Sequence, residues 1–192
     1  MNLVVVWLRD DWLHVLYLYE MESQLIVREA KLTDIEELNQ VNYDKTPAVH
    51  HDRIRDADEH QMRYLVVEKN GLIAGFAVLV FQRPPSWPDA DSQKNLPQIV
   101  DLYVRPEQRG KGVGSFFIRH MEQIVSNGGG DRLFVAVDPL DNPRAHALYL
   151  RLGYVPIERE PYQVHWHFAD SDGNRHEGDS WNINLMRQLA GT

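Results

Sequence analysis

The chain has 192 residues, 43% hydrophobic and 25% charged, with 20 Lys and Arg against 28 Asp and Glu for a net charge of −8. That length and apolar content suit one domain with a full hydrophobic core, and the acidic balance lacks the positive field of a nucleic-acid binder. The absence of cysteine removes disulfide scaffolds, thiolate zinc sites, iron–sulfur clusters and cysteine nucleophiles together, and fits a cytoplasmic protein.

In chain order, Val4 to Leu8 is a short apolar run that Arg9, Asp10 and Asp11 interrupt. It has neither the flanks of a signal peptide nor the ~20 apolar residues of a membrane-spanning helix, so no membrane association is expected. Residues 1–20 read as an N-terminal extension or as the product of an upstream start codon, with Met21 just ahead of the first strand. The domain is expected over 21–192. Gln24 to Ala30 alternates like a half-buried strand. Thr33 and Glu36 have capping-box spacing, and Ile35, Leu38 and Val41 recur at helical intervals. The polar stretch His50-His51-Asp52-Arg53 reads as a loop, leading into a second helix over Ile54 to Met62.

Tyr64 to Val67 and Leu72 to Phe81 read as strands joined at Asn70-Gly71, a strong hairpin signal. Pro84 to Pro97 is rich in Pro, Asp and Ser and reads as a loop. Ile99 to Val104 is a further strand. Val113, Phe117, Met121 and Ile124 mark a long helix that Gly128-Gly129-Gly130 ends. Leu133 to Val137 is a short strand, and Ala145, Leu148, Tyr149 and Leu152 line a helix closed by Gly153. A polar, aromatic stretch leads to a last strand over Trp181 to Leu189. The order β-α-α-β-β-β-α-β-α-β-β gives an α/β (α+β) domain on a mixed sheet.

The most informative segment is Val104-Arg105-Pro106-Glu107-Gln108-Arg109-Gly110-Lys111-Gly112-Val113-Gly114-Ser115. A strand ends, glycines alternate, and a helix begins. Glycines let the backbone approach a ligand, and the open N–H groups of a helix start favour phosphate. A P-loop would need Lys and then Ser or Thr after the final glycine, and a dinucleotide fingerprint would sit after the first strand of a βαβ unit. Neither context is present.

Arg109-x-x-Gly112-x-Gly114 resembles the acetyl-coenzyme A motif of the GNAT N-acetyltransferase superfamily. Asn142-Pro143-Arg144-Ala145-His146-Ala147-Leu148-Tyr149-Leu150-Arg151-Leu152-Gly153-Tyr154 resembles the family's second pattern, N-x-x-A-x-x-L-Y-x-x-x-G-F/Y. The lead-in Asp101-Leu102-Tyr103-Val104-x-Pro106 is also similar to that of the family. The resemblance runs from about Leu25 to the C-terminus. It implies the GNAT fold, a mixed, mostly antiparallel sheet with splayed central parallel strands flanked by helices.

For function, the resemblance implies direct transfer of an acetyl group from acetyl-CoA to a primary amine of a small molecule or peptide, without metal. Leu102, Tyr103 and Val104 would contact the cofactor's arm and acetyl carbonyl. Arg109, Gly110, Lys111, Gly112, Val113, Gly114 and Ser115 would wrap the pyrophosphate, and Asn142 would contact the cofactor from the next helix. Tyr149 would protonate the departing thiolate. Where some relatives carry a basic glutamate, this chain has Val100. Asp101 is the nearest carboxylate, and strand alternation turns it to the face opposite Val100. Both a catalytic and a structural role stay open for it. A noncatalytic acyl-CoA sensor on the same fold is the rival reading.

The acidic balance favours a cationic acceptor such as a polyamine, an aminoglycoside or a lysine side chain. Late strands with an edge and several aromatics suit a homodimer. His165-x-His167 reads as a surface or substrate-loop pair rather than metal ligands. Trp87, Trp166 and Trp181 read as core or interface residues, and Asp170 to Asn174 as a turn between late strands.

Overall fold

The structure is a computed structural model that describes residues 24–42, 45–59, 61–82 and 97–189. The expected extension over 1–20, nearly all of the Pro-rich loop, and Trp87 lie outside them. Strands β1 (Leu25–Glu29), β2 (Met62–Lys69), β3 (Leu72–Val80) and β4 (Gln98–Val104) form an antiparallel run. Strand β5 (Arg132–Val137) pairs parallel with β4, and β8 (Arg175–Gln188) pairs antiparallel with β5, with the short β6 (Val155–Pro156) and with β7 (Tyr162–Ala169). The sheet order is β1-β2-β3-β4-β5-β8-β6, with β7 beside β8.

Helices cover both faces. Helix α3 (Val113–Asn127) buries Val113, Phe117, Ile118, Met121 and Val125 in a core shared with α4 (Pro143–Arg151). Helices α1 (Ile35–Val41) and α2 (Pro47–Glu59) cover the other face, with Leu38, Val41 and Ile54 against Tyr64, Val66 and Phe76. Alternation along β2 divides the two cores, sending Leu65 and Val67 to the α3 side and Tyr64 and Val66 to the α1–α2 side. With both faces covered, β3 from Ile73 to Val80 is a continuous buried run. Each fully buried large apolar side chain contributes roughly 1.5–3 kcal/mol. The β2–β3 turn has Asn70 and Gly71 both at positive φ, 54° and 81°, as a primed turn requires.

Several expectations need correction. His50 to Arg53 is not a loop but lies inside α2, which starts at Pro47, where proline is tolerated because the first helical N–H has no intrahelical partner. Met62 opens β2 rather than ending a helix. The first helical segment begins with a 3₁₀ turn, Leu32–Asp34, and its start is closed by Asp34, whose carboxylate accepts the Lys31 N–H at 2.7 Å, not by Thr33 and Glu36. The last strand is longer than expected, because its first half gains a partner in β7. Trp166 and Trp181 are 41% and 47% exposed and belong to neither core.

Candidate active site

Strands β4 and β5 share a ladder only at Gln98–Phe134 and Ile99–Val135. Beyond those pairs the strands continue side by side without pairing, and a cleft opens between them. The Arg105 N–H donates to Ala74 O at 2.9 Å, and Val104 stands opposite Gly75. Backbone groups alternate sides along an antiparallel strand. Leu102 and Val104 therefore turn their amides away from β3 and into the cleft. The Val104 carbonyl accepts from Arg109 Nε at 2.8 Å, and the Arg109 guanidinium lies 5.1 Å from the Tyr103 ring centroid. Arg109 thus braces the strand end.

A bulge sets this geometry. Phe76 faces Tyr103 and Val78 faces Val100, so Ala77 alone opposes Asp101 and Leu102. Asp101 takes a φ of 52° to accommodate the extra residue. Before the bulge Ile99 faces the α3 core and Val100 the other; after it Leu102 and Val104 face the α3 core and Tyr103 the other. Simple alternation would have reversed the last three. It would also have put Asp101 opposite Val100. Instead the bulge turns Asp101 to the α2 side, where it pairs with Arg53 and, at 3.4 Å, with Lys45.

Past β4, a 3₁₀ turn (Pro106–Gln108) leads to Gly110 and Gly112, both left-handed at φ 74° and 81°. A Cβ on either would meet nothing within 4 Å, so these glycines serve backbone conformation rather than packing. The first amide bonded back within α3 is Phe116 to Gly112 O, at 3.0 Å. The N–H groups of Val113, Gly114 and Ser115 precede it and have no intrahelical acceptor. With no acidic residue in this first turn, the helix start suits an anion. Val113 is wholly buried, which leaves only its backbone for a ligand, and Lys111 is exposed beside it. A Cβ at Gly114 would come within 3.2 Å of Leu148, so α3 and α4 approach closely here.

On α4, Asn142 is the exposed N-cap and makes no side-chain capping bond. Tyr149 is buried, set edge-on to Tyr154 with centroids 5.4 Å apart, and burial pushes its phenol pKa up. The loop before α4 is held by Asp138, which no motif flagged. Its Oδ1 accepts the N–H groups of Leu140 and Asp141, and its Oδ2 accepts that of Trp181. Burial acts to raise the Asp138 pKa, but the N–H donors of Asp141, Trp181 and Leu140 together hold it below the usual carboxylate range.

On the other side of the cleft, His50 is fully buried and shares a 2.7 Å hydrogen bond with the Tyr64 hydroxyl. His50 packs edge-on to Phe76, and Phe76 stacks on Tyr103 of the cleft strand. Arg53 lies over the Tyr64 ring while reaching Asp101. Burial, with the nearby charges of Arg53 and Lys45, lowers the His50 pKa to about 4. Thr46, His50 and Arg53 share helical spacing, the one signal by which this cluster was legible. His165 and His167 sit on the exposed face of β7, with His165 paired to Asp179 at 3.0 Å. Among the described residues no group of three or more His, Asp or Glu is arranged to hold a metal ion, and no helix is long and apolar enough to cross a membrane.

Residues 30–154 match the sequence profile of the Acetyltransferase (GNAT) family. A putative ribosomal protein bS18-alanine N-acetyltransferase of Bacillus subtilis is 25% identical over 142 residues, which cover 71% of this chain and 84% of that protein. Thialysine N-epsilon-acetyltransferase of Bos taurus is 37% identical over 94 residues, 48% of this chain and 46% of the relative, so the match spans under half of that protein. The fold is similar to that of a putative acetyltransferase from Salmonella typhimurium solved with its cofactor acetyl-CoA, at a TM-score of 0.60 and 17% identity, covering 88% of this chain and 96% of the other.

Proposed function

The chain belongs to the acetyltransferase (GNAT) family, and on that premise we propose that it moves an acetyl group from acetyl-CoA to a primary amine of a small molecule or peptide. The single observation that carries this reading is the β4–β5 cleft, where the Val104 N–H points into an unpaired gap ahead of the glycine-rich start of α3.

The residues present fit the cofactor. The open amides of Val113, Gly114 and Ser115, with Gly110 and Gly112 in left-handed conformation and Lys111 alongside, suit a diphosphate. Leu102, Tyr103 and Val104 offer a largely apolar strand in which the Leu102 and Val104 amides face the cleft, which suits an amide-bearing arm. Asn142 brings an uncommitted side chain from the start of α4.

When bound, acetyl-CoA supplies the thioester whose carbonyl carbon the amine attacks and whose sulfur departs. The Val104 N–H is a fixed donor for the oxygen on which negative charge develops. Tyr149, kept protonated by burial, holds the proton that the departing sulfur needs. Asp101 is already matched by Arg53 and Lys45, and in this reading it shapes the acceptor side while water takes the amine's proton. The same reading includes a cytoplasmic setting and a homodimer through the late strands.

Calorimetric titration with acetyl-CoA tests the proposal, beside a Gly112→Trp variant whose fold is checked by circular dichroism. Saturable binding that the folded variant loses supports it. Binding that is absent in the unaltered, folded chain rejects it. Thiol release over a panel of amines then has no background from the enzyme, which has no cysteine.

A further inference from the structure

Two pairs of neighbouring residues at α2 face two ways. Lys45 and Arg53 hold Asp101 at the β4 bulge. Their neighbours Thr46 and Asp52 hold the tip of the β7–β8 hairpin instead. Thr46 Oγ1 donates to Asp170 Oδ2 at 3.2 Å, and the Ser171 N–H donates to Asp52 Oδ2 at 2.8 Å. The tip is firmly built, because the buried Asp170 carboxylate also accepts from the Asn174 N–H at 2.9 Å and pairs with His176 Nε2 at 3.0 Å. One short stretch of chain therefore fastens both the cleft strand and the hairpin tip. Along β8, Ile183 and Leu185 face the α3 core, so by alternation His176, Gly178 and Ser180 lie on the α1–α2 face, the side that carries Asp101.

The two faces of this arm differ. His165, His167, Glu177 and Asp179 are exposed, while Val164, His176, Gly178 and Ser180 are half-buried and mark the inner face. By register Trp166 lies opposite Gly178 and Phe168 opposite His176, so both aromatics belong to the inner face. They stack on each other at 6.4 Å, and Phe168 stacks on His176 at 4.7 Å. A Cβ at Gly178 would meet Trp166 Cζ2 at 2.6 Å, so the missing side chain is what lets the indole lie against β8. Yet Trp166 stays 41% and Phe168 37% exposed. They form an aromatic shelf on the α1–α2 face that the described residues leave partly uncovered.

Resting on the acetyl-transfer reading above, we propose that Trp166 and Phe168 are specificity residues for the acceptor, and that the acceptor is a small amine carrying a flat apolar or aromatic group. The charges argue in the same direction. The arm's Glu177 and Asp179 lie on its outer face, Asp170 is spent within the tip, and Asp101 is paired. A polyamine or aminoglycoside would find no uncommitted carboxylate among these residues, whereas a ring finds a stacking surface.

Thiol release with phenethylamine, butylamine and spermidine at saturating acetyl-CoA tests the proposal. The expected result is a kcat/KM for phenethylamine about tenfold or more above that for butylamine, carried by KM. Trp166→Ala, and independently Gly178→Ala, which pushes the indole off its seat, should erase the preference while calorimetric acetyl-CoA affinity stays within about twofold. Equal use of the amines, a preference for spermidine, a preference surviving both variants, or intact acetyl-CoA binding with no aromatic amine accepted would each overturn the aromatic shelf alone. Failure of the unaltered chain to bind acetyl-CoA would overturn the transferase reading beneath it.

Discussion

The carboxylate of Asp101 and the guanidinium of Arg53 are joined on the α1–α2 side of the cleft, one from a bulged strand and the other from a helix that packs on the same sheet face. The pair ties down the residue whose left-handed backbone reverses the strand's facing pattern. Asp101→Asn keeps the shape and removes the charge. It should cost about 1 kcal/mol of stability, as for a half-exposed pair rather than a buried one. It should raise the acceptor KM and leave the acid limb of the pH–rate profile in place. Loss of that limb would make Asp101 the general base and reject its positioning role.

Tyr149 is the proton donor to test. Tyr149→Phe retains the ring that packs on Tyr154, so thermal stability should hardly move. Steady-state kinetics should show kcat lowered by about a hundredfold, the usual range for losing a general acid, with acetyl-CoA affinity nearly unchanged. A kcat within a few-fold of the unaltered chain would reject Tyr149 as the proton donor. The noncatalytic sensor reading would be favoured only if a broad amine screen also found no acceptor.

His50 makes stability depend on pH. Its pKa is lowered from 6.5 to about 4 in the fold, by burial and then by Arg53 and Lys45. Above pH 6.5 the ring is neutral in both states, and the fold keeps its full stability. Between pH 6.5 and 4 the unfolded chain binds a proton that the folded chain refuses, so stability is lost across that window, by about 3 kcal/mol at most. Denaturant titrations at several pH values should show the slope, and His50→Gln should flatten it. An unchanged slope in the variant would reject the assignment.

Gly75 tests the contact that holds the cleft strand in place. A Cβ there would run into Tyr103 O and lie 3.2 Å from Val104 Cα, both backbone atoms, so relief requires the strand itself to move. Gly75→Ala should cost roughly 1–3 kcal/mol in urea unfolding, as overpacking does, and weaken acetyl-CoA binding, because Val104 must shift with the strand. Unaltered affinity in a destabilised variant would separate the strand's position from cofactor binding.

Local chemistry was legible in the amino-acid sequence alone. The recurrence of Val113, Phe117 and Met121 announced α3, Asn70-Gly71 announced the β2–β3 turn, and the glycines from Gly110 to Gly114 announced a helix start with open amides. These signals depend on near neighbours in the chain, so a short window contains their cause. The start of α2 was missed because His50, His51, Asp52 and Arg53 look solvated, whereas His50 is buried through a partner fourteen positions away at Tyr64.

What tertiary structure alone decided is the facing of residues and the company they keep. Periodicity predicts that alternate residues share a face, but one extra residue opposite Ala77 reverses β4 after Asp101, and that bulge is set by pairing with β3. Arg53 and Asp101, and Thr46 and Asp170, meet only because distant segments come together on one face of the sheet. The amino-acid sequence determined the elements and the glycine-rich turn, since both arise from local backbone preference. The α1–α2 side of the cleft arises from contacts between segments far apart in the chain, and no local pattern encodes which of them will touch.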